Sequence, residues 1–131
     1  MLEVGTKGHQ EITVTDDITA AAMVSGTLPV YATPCMISLI EATCWKSIEK
    51  DISEDESTVG TMLNVKHLAA TPVGMKVWCD SKLVEVDGRR LLFEVEVFDE
   101  AGKVGEGTHE RFIIKAERFL EKANAKLKAG E

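Results

Sequence analysis

No apolar run in this chain approaches the roughly 20 residues that a membrane-spanning helix needs. The opening MLEVGTKGHQ has no apolar core either, which predicts no signal peptide. Cysteine is scarce: Cys35, Cys44 and Cys79 make an odd set without CxxC spacing, and read as free thiols in a reducing, cytoplasmic setting. His9, His67 and His109 are scattered, with neither HxxxH nor paired Cys/His spacing, so no metal site is expected. A GxSxG elbow, a Walker A loop and a dinucleotide fingerprint are all missing, which removes the common hydrolase, phosphate-loop and Rossmann signatures. Basic stretches are missing too. A net charge of −7 and a pI near 5.0 disfavour nucleic acid as a partner, and the acidic balance by itself names no substrate.

What is present suits one domain over residues 1–131, with 44% hydrophobic and 28% charged residues. QEITV (10–14) alternates like a short strand. Residues 15–32 read as a loop or lid. Thr33 and Pro34 then predict a helix start, with Thr33 as the cap and Pro34 at the first helical position, running to about Lys50. Four strand-like segments follow at 58–70, 75–86, 90–99 and 103–115. Asp87-Gly88 marks a hairpin between the second and third. In RLLFEVEVFD, Leu91, Phe93, Val95 and Val97 face one way and Glu94 and Glu96 the other. AERFLEKANAKLKAGE closes the chain as a short amphipathic helix. One strand, a long helix and an antiparallel meander give an α+β fold in which a twisted sheet wraps the helix. The open sheet edge of such a fold invites dimerisation.

Glu41 is the most informative residue. Ile37, Ile40, Cys44 and Ile48 mark an apolar helical stripe, and Glu41 falls among them. A carboxylate there loses water and either pairs, snorkels to solvent, or becomes a proton-trading group near neutral pH. Thr33, eight residues earlier, can share that side of the helix; it is either a simple cap or, with the helix N-terminus, a holder of developing negative charge. His67 shares a strand face with Leu63 and Val65, and reads as a core histidine or an acid/base partner. In GEGTHERF (105–112), Gly105 and Gly107 predict a bulge or a close approach. His109 and Arg111 share one face there and Glu110 takes the other. Arg111 can bind an anionic group or neutralise Glu41. Gly60 on the first long strand can leave room for a ligand. Cys44 reads as core.

Three stretches carry a family resemblance: YATPCMISLIEATCW (31–45), GTMLNVKHLAATPVGMKV (60–77) and VDGRRLLFEVEVFDEAGKVGEGTHERFIIKAERF (86–119). HxAATPxG followed by GxGTHER is their most specific pairing. On these the chain resembles the fluoroacetyl-CoA thioesterase-like group of hot-dog-fold proteins; residues 1–30 match weakly. The resemblance implies a single hot-dog domain, with an antiparallel sheet around a long central helix. It implies a homodimer with active sites at the interface, acyl-CoA as substrate, and hydrolysis without a cofactor beyond the coenzyme A that the substrate carries. It places the catalytic Thr, Glu and His on Thr33, Glu41 and His67, and the substrate-pocket Gly and Arg on Gly60 and Arg111. Lys66, Arg89 and Arg90 are candidates for the coenzyme's phosphates.

The family's lid phenylalanines are absent here. AAAMVSGTLPVY (20–31) offers Met23, Leu28 and Tyr31 as apolar cover instead, so a small or medium acyl group is expected rather than fluoroacetyl selectivity. Against the thioesterase reading stand a non-catalytic acyl-CoA-binding protein, a hot-dog hydratase acting on enoyl or hydroxyacyl thioesters, and a purely structural dimerisation module.

Overall fold

The alternation of RLLFEVEVFD appears as strand β4 (Arg90–Asp99), with Leu91, Phe93, Val95 and Val97 buried and Glu94 and Glu96 exposed. Its neighbours are β3 (Lys76–Asp87) and β5 (Gly102–Lys115). The β3–β4 hairpin turns at Gly88, whose φ of +60° suits the tight connection predicted there. β1 (Lys7–Thr13) adds to β3 and β2 (Glu56–His67) adds to β5, giving one antiparallel sheet in the order β1-β3-β4-β5-β2. The expected strands are thus found with ends shifted by at most three residues: β1 starts at Lys7 rather than Gln10, and β2 ends at His67 rather than Ala70. The computed structural model describes residues 1–129. The tail helix is α2 (Ala116–Ala129), and the last two residues expected in it, Gly130 and Glu131, lie outside the described residues.

Helix α1 (Thr33–Ile48) lies across β3 and β1 and reaches β2 more lightly. It stops short of Lys50, and Glu49–Asp51 form a 3-10 turn. Its buried residues are Met36, Leu39, Ile40, Thr43, Cys44 and Ile48. The stripe is therefore rotated from the predicted one. Ile37 is only half-buried, and Glu41 sits on the flank of the stripe rather than within it. At about 100° per residue, Ile37, Glu41 and Trp45 share that flank. The helix start also differs from expectation. Ala32, in extended backbone, is the cap; Thr33 and Pro34 are the first two helical residues, and no side chain caps the helix.

Around this helix the sheet closes a core of Val14, Tyr31, Met36, Ile40, Ile48, Leu83, Leu91 and Phe93. The loop before α1 is tied by backbone bonds from Ala20 N to Val30 O (2.8 Å) and Ala21 N to Leu28 O (3.1 Å). Tyr31 does not join the lid. It is buried, and its hydroxyl donates to Cys35 O at 3.0 Å. Met23, Val24 and Leu28 are the lid's exposed apolar residues.

Truncating inward and outward positions of one strand separates the two faces. Phe93→Ala should lose about 3–5 kcal/mol of unfolding free energy in urea melts, while Glu94→Ala should stay within about 0.5 kcal/mol. Equal losses would mean that β4 does not present these faces.

Candidate active site

Thr33, at the start of α1, is exposed and its hydroxyl is not drawn to the helix N–H groups. It meets His67, the last residue of β2, with Oγ1 and Nδ1 2.8 Å apart. His67 lies on the helix-facing side of β2 with Leu63 and Val65, as the pairing with β5 shows: Leu63 faces His109, Val65 faces Gly107 and His67 faces Gly105. Burial lowers the His67 pKa, partly offset by the Ala69 backbone, so the ring is neutral near neutral pH. Its Nε2 is buried and has no hydrogen-bond partner among the described residues, which is uncommon for a buried polar atom.

A second group forms where α1 crosses the middle of β2. Arg111 is buried, and its guanidinium is almost fully committed inside the protein. Nε donates to Thr58 Oγ1 (2.8 Å) and Nη2 to the Thr58 carbonyl (2.9 Å). Nη1 reaches Glu41 Oε2 (3.2 Å) and His109 Nε2 (3.1 Å). His109 Nδ1 faces the Met62 carbonyl at 2.8 Å, so that nitrogen carries the proton and Nε2 accepts from Arg111. Burial chiefly, and the Arg111 charge as well, lower the His109 pKa against the opposing pull of the Met62 carbonyl. His109 was placed on the Arg111 face from sequence without a role; it holds that guanidinium.

Glu41 is therefore the partner of a buried arginine rather than a desolvated carboxylate. Its side chain is 38% exposed, and only Oε2 is engaged among the described residues. Gly60, opposite Arg111 in the β2–β5 register, makes this possible. A Cβ there would lie 2.8 Å from Glu41 Oε2 and 3.1 Å from the His109 ring. The irregularity expected around Gly105 is present in the pairing with β4, where Val97 faces Gly105 but Phe98 faces Lys103, and a second one falls between Gly60 and Met62. Gly107 serves close approach, with a φ of +155° and no room for a Cβ against the Asn64 carbonyl.

Thr33 with His67 and Glu41 with Arg111 are thus two groups, and no hydrogen bond joins them. Their helix residues are about 12 Å apart along α1, and Gly60 and His67 roughly 20 Å apart along β2. The phosphate candidates fare unequally. Arg90 is taken by Glu85 and Glu110, Arg89 lies against the Ile113 carbonyl, and Lys66 is exposed beside His67. Burial pushes the thiols of Cys44 and Cys79 up, the latter to about 12, which suits core residues rather than nucleophiles. Among the described residues no three His, Cys, Asp or Glu are placed to hold a metal, and no helix is long and apolar enough to cross a membrane. A cavity of about 1030 Å³ lies by Lys7, His9, Asp80, Lys82 and Glu96 and is lined by none of the candidate residues.

The model of the fluoroacetyl-CoA-specific thioesterase family matches residues 14–117. The chain belongs to this family. The match starts at Val14, so it includes the lid segment that resembled the family only weakly in sequence. The fluoroacetyl-CoA thioesterase of Streptantibioticus cattleyicolor is 39% identical over 101 residues, 77% of this chain and 73% of that protein. A solved structure of the fluoroacetyl-CoA thioesterase FlK superposes with a TM-score of 0.92 at 31% identity, covering 96% of this chain and 98% of that one. A thioesterase superfamily member from Thermus thermophilus gives 0.88 at 28% identity, covering 98% of each chain. A hot-dog-like protein from Thermanaerovibrio acidaminovorans, 20% identical with a TM-score of 0.86, covers 95% of this chain and 93% of its own and shares the fold. The sheet and helix described above are accordingly a hot-dog fold, and family membership makes the chain a thioester hydrolase.

The two lowered histidine pKa values give a signed pH dependence. The unfolded chain binds protons on these rings near pH 6.5 and the folded chain only lower, so folding stability falls as pH drops below about 6.5 and is flat just above it. Thermal melts between pH 7.5 and 5 should show that decline, and His109→Gln should flatten part of it. An unchanged slope in the variant would assign the decline to other groups.

Proposed function

We propose that the protein hydrolyses a small or medium acyl-CoA thioester to the free acid and CoA, at a site completed by a second copy of the chain. The carrying observation is the split between the two groups, both of which involve β2, the terminal strand of the sheet among the described residues. β2 is a long edge strand, with Leu63 exposed near its middle. Such edges are covered in native proteins. Antiparallel pairing of two β2 edges about a two-fold at Asn64, with Thr61 as the extra residue of the bulge, would set His67 across from Gly60 of the partner subunit. Thr33 and His67 of one protomer then meet Glu41 of the partner subunit, twice per dimer.

In that site the Thr33 hydroxyl donates to His67 Nδ1, which leaves the ring proton on Nε2. Glu41, held by Arg111, supplies its electron pair either to the thioester carbonyl or to a water proton. The tetrahedral oxyanion forms beside the N-terminus of α1, whose free N–H groups favour it. The C–S bond breaks; the leaving thiolate accepts a hydrogen bond from His67 Nε2–H and takes up the proton that Glu41 drew from water, or a solvent proton where Glu41 itself attacked. Attack by Glu41 itself gives an acyl-enzyme that water then cleaves; the products are the same. Gly60 and Arg111 enter this reading mainly by positioning Glu41, since the guanidinium has few donors to spare. The coenzyme's phosphates meet Lys66 more readily than Arg90. No cofactor is needed beyond the substrate's CoA, and the unpaired thiols suit a cytoplasmic setting.

Thiol release across acyl-CoAs of increasing length tests this reading. Glu41→Ala and His67→Ala should each lower kcat/KM by about 10²–10⁴-fold with the fold retained. Tight CoA-ester binding without thiol release would leave a binding protein; hydroxyacyl-CoA without free thiol would mean a hydratase. Gly60→Ala should cut kcat more than it raises KM, because its Cβ displaces the Glu41 carboxylate. An unaffected kcat would remove Gly60 from the site.

A further inference from the structure

We propose that the cleft one helical turn beyond Glu41 receives the distal end of an uncharged acyl chain, and that Trp45 sets the chain length the enzyme accepts. This rests on the thioesterase reading. Trp45 follows Glu41 by four residues and so lies on the same flank of α1. It is 36% exposed, more than any other large apolar residue of this helix. It walls a cavity of about 320 Å³ together with Ile52 and Thr58. Thr58 is also the residue that anchors Arg111, through both its hydroxyl and its carbonyl. The cavity therefore shares one wall with the Arg111–Glu41 group and another with the helix flank that carries Glu41. A carbonyl carbon brought to Glu41 has this space as the outlet for its chain.

The rim decides the class of ligand. Glu49, Glu54 and Glu56 line the same cavity. They would repel the phosphates of coenzyme A, so the cavity does not suit that end of the substrate. They equally disfavour an acyl group ending in carboxylate. The floor offered by Trp45 and Ile52 suits methylenes. The volume is at the low end for ligand clefts, which favours a short or medium chain.

The test is kcat/KM on straight-chain acyl-CoAs from acetyl to octanoyl, and on glutaryl-CoA against pentanoyl-CoA. Wild type, Trp45→Ala and Trp45→Phe are compared, with far-UV circular dichroism confirming the fold. Wild type should gain up to about fourfold per methylene until a cut-off is reached. Trp45→Ala should move that cut-off to longer chains, with Trp45→Phe between. Glutaryl-CoA should be about tenfold poorer than pentanoyl-CoA. An unmoved cut-off in folded variants, or equal use of the two five-carbon acyl groups, overturns the proposal while leaving the thioesterase reading intact.

A second readout does not need turnover. In a Trp78→Phe background, emission comes from Trp45 and should shift to the blue progressively as longer acyl-CoAs bind. Absence of thiol release with this shift would overturn the thioesterase reading but keep the cleft as an acyl site. Emission indifferent to chain length would overturn the cleft itself, including where Trp45→Ala fails to fold.

Discussion

The buried guanidinium of Arg111 is the constraint on which the middle of this molecule depends. An arginine side chain inside a protein keeps its charge, so the fold must bring acceptors to it. Thr58 supplies two, His109 a third and Glu41 the counter-charge. Each has a structural consequence. Thr58 and Arg111 fix how β2 lies on β5. His109 must stay neutral with its proton on Nδ1, which the Met62 carbonyl and burial ensure. Glu41 must descend from α1 to the sheet, which only a glycine at position 60 allows. A carboxylate is thereby held at the flank of the helix, half in water, rather than sealed in the core.

That placement explains why one chain shows two incomplete groups. The Thr33–His67 contact ends β2, while the Glu41–Arg111 pair sits near its middle. A rigid helix and a rigid strand keep them apart. His67 Nε2, which has no hydrogen-bond partner among the described residues, the edge strand β2 and the exposed Leu63 all lie on the surface that the proposed dimer covers. In the proposed dimer a two-fold partner would cover all three, and the assembled residues would carry out the thioester chemistry.

Much of this was legible in the sequence because strands and helices announce themselves through periodicity. β4 was readable end to end, since its apolar and acidic residues alternate without interruption. The Asp87-Gly88 turn fixed its pairing with β3. The shared face of His109 and Arg111 followed from strand alternation. The rotation of α1 did not. Ile37 and Met36 compete for the core, and Met36 takes it, its sulfur lying over Gly105 of β5, a contact that periodicity does not specify. Thr33 looked like a cap because caps are common; what takes its hydroxyl is a histidine 34 residues away, a contact no local rule foretells. Tyr31 looked like lid cover, but its ring turns inward to the core. Gly60 was noted for the space it leaves, but that the space is filled by Glu41 from the same chain depends on how α1 crosses β2.

The most direct test of the account is complementation between two dead variants. Glu41→Ala and His67→Ala proteins are each prepared, unfolded and refolded together, and assayed for thiol release. If each site combines His67 of one protomer with Glu41 of its partner, every mixed dimer has one intact site, and random mixing should restore about a quarter of wild-type activity. If the mixture stays as inactive as its components while mixed dimers are shown to form, both residues act within one chain and the shared site is wrong.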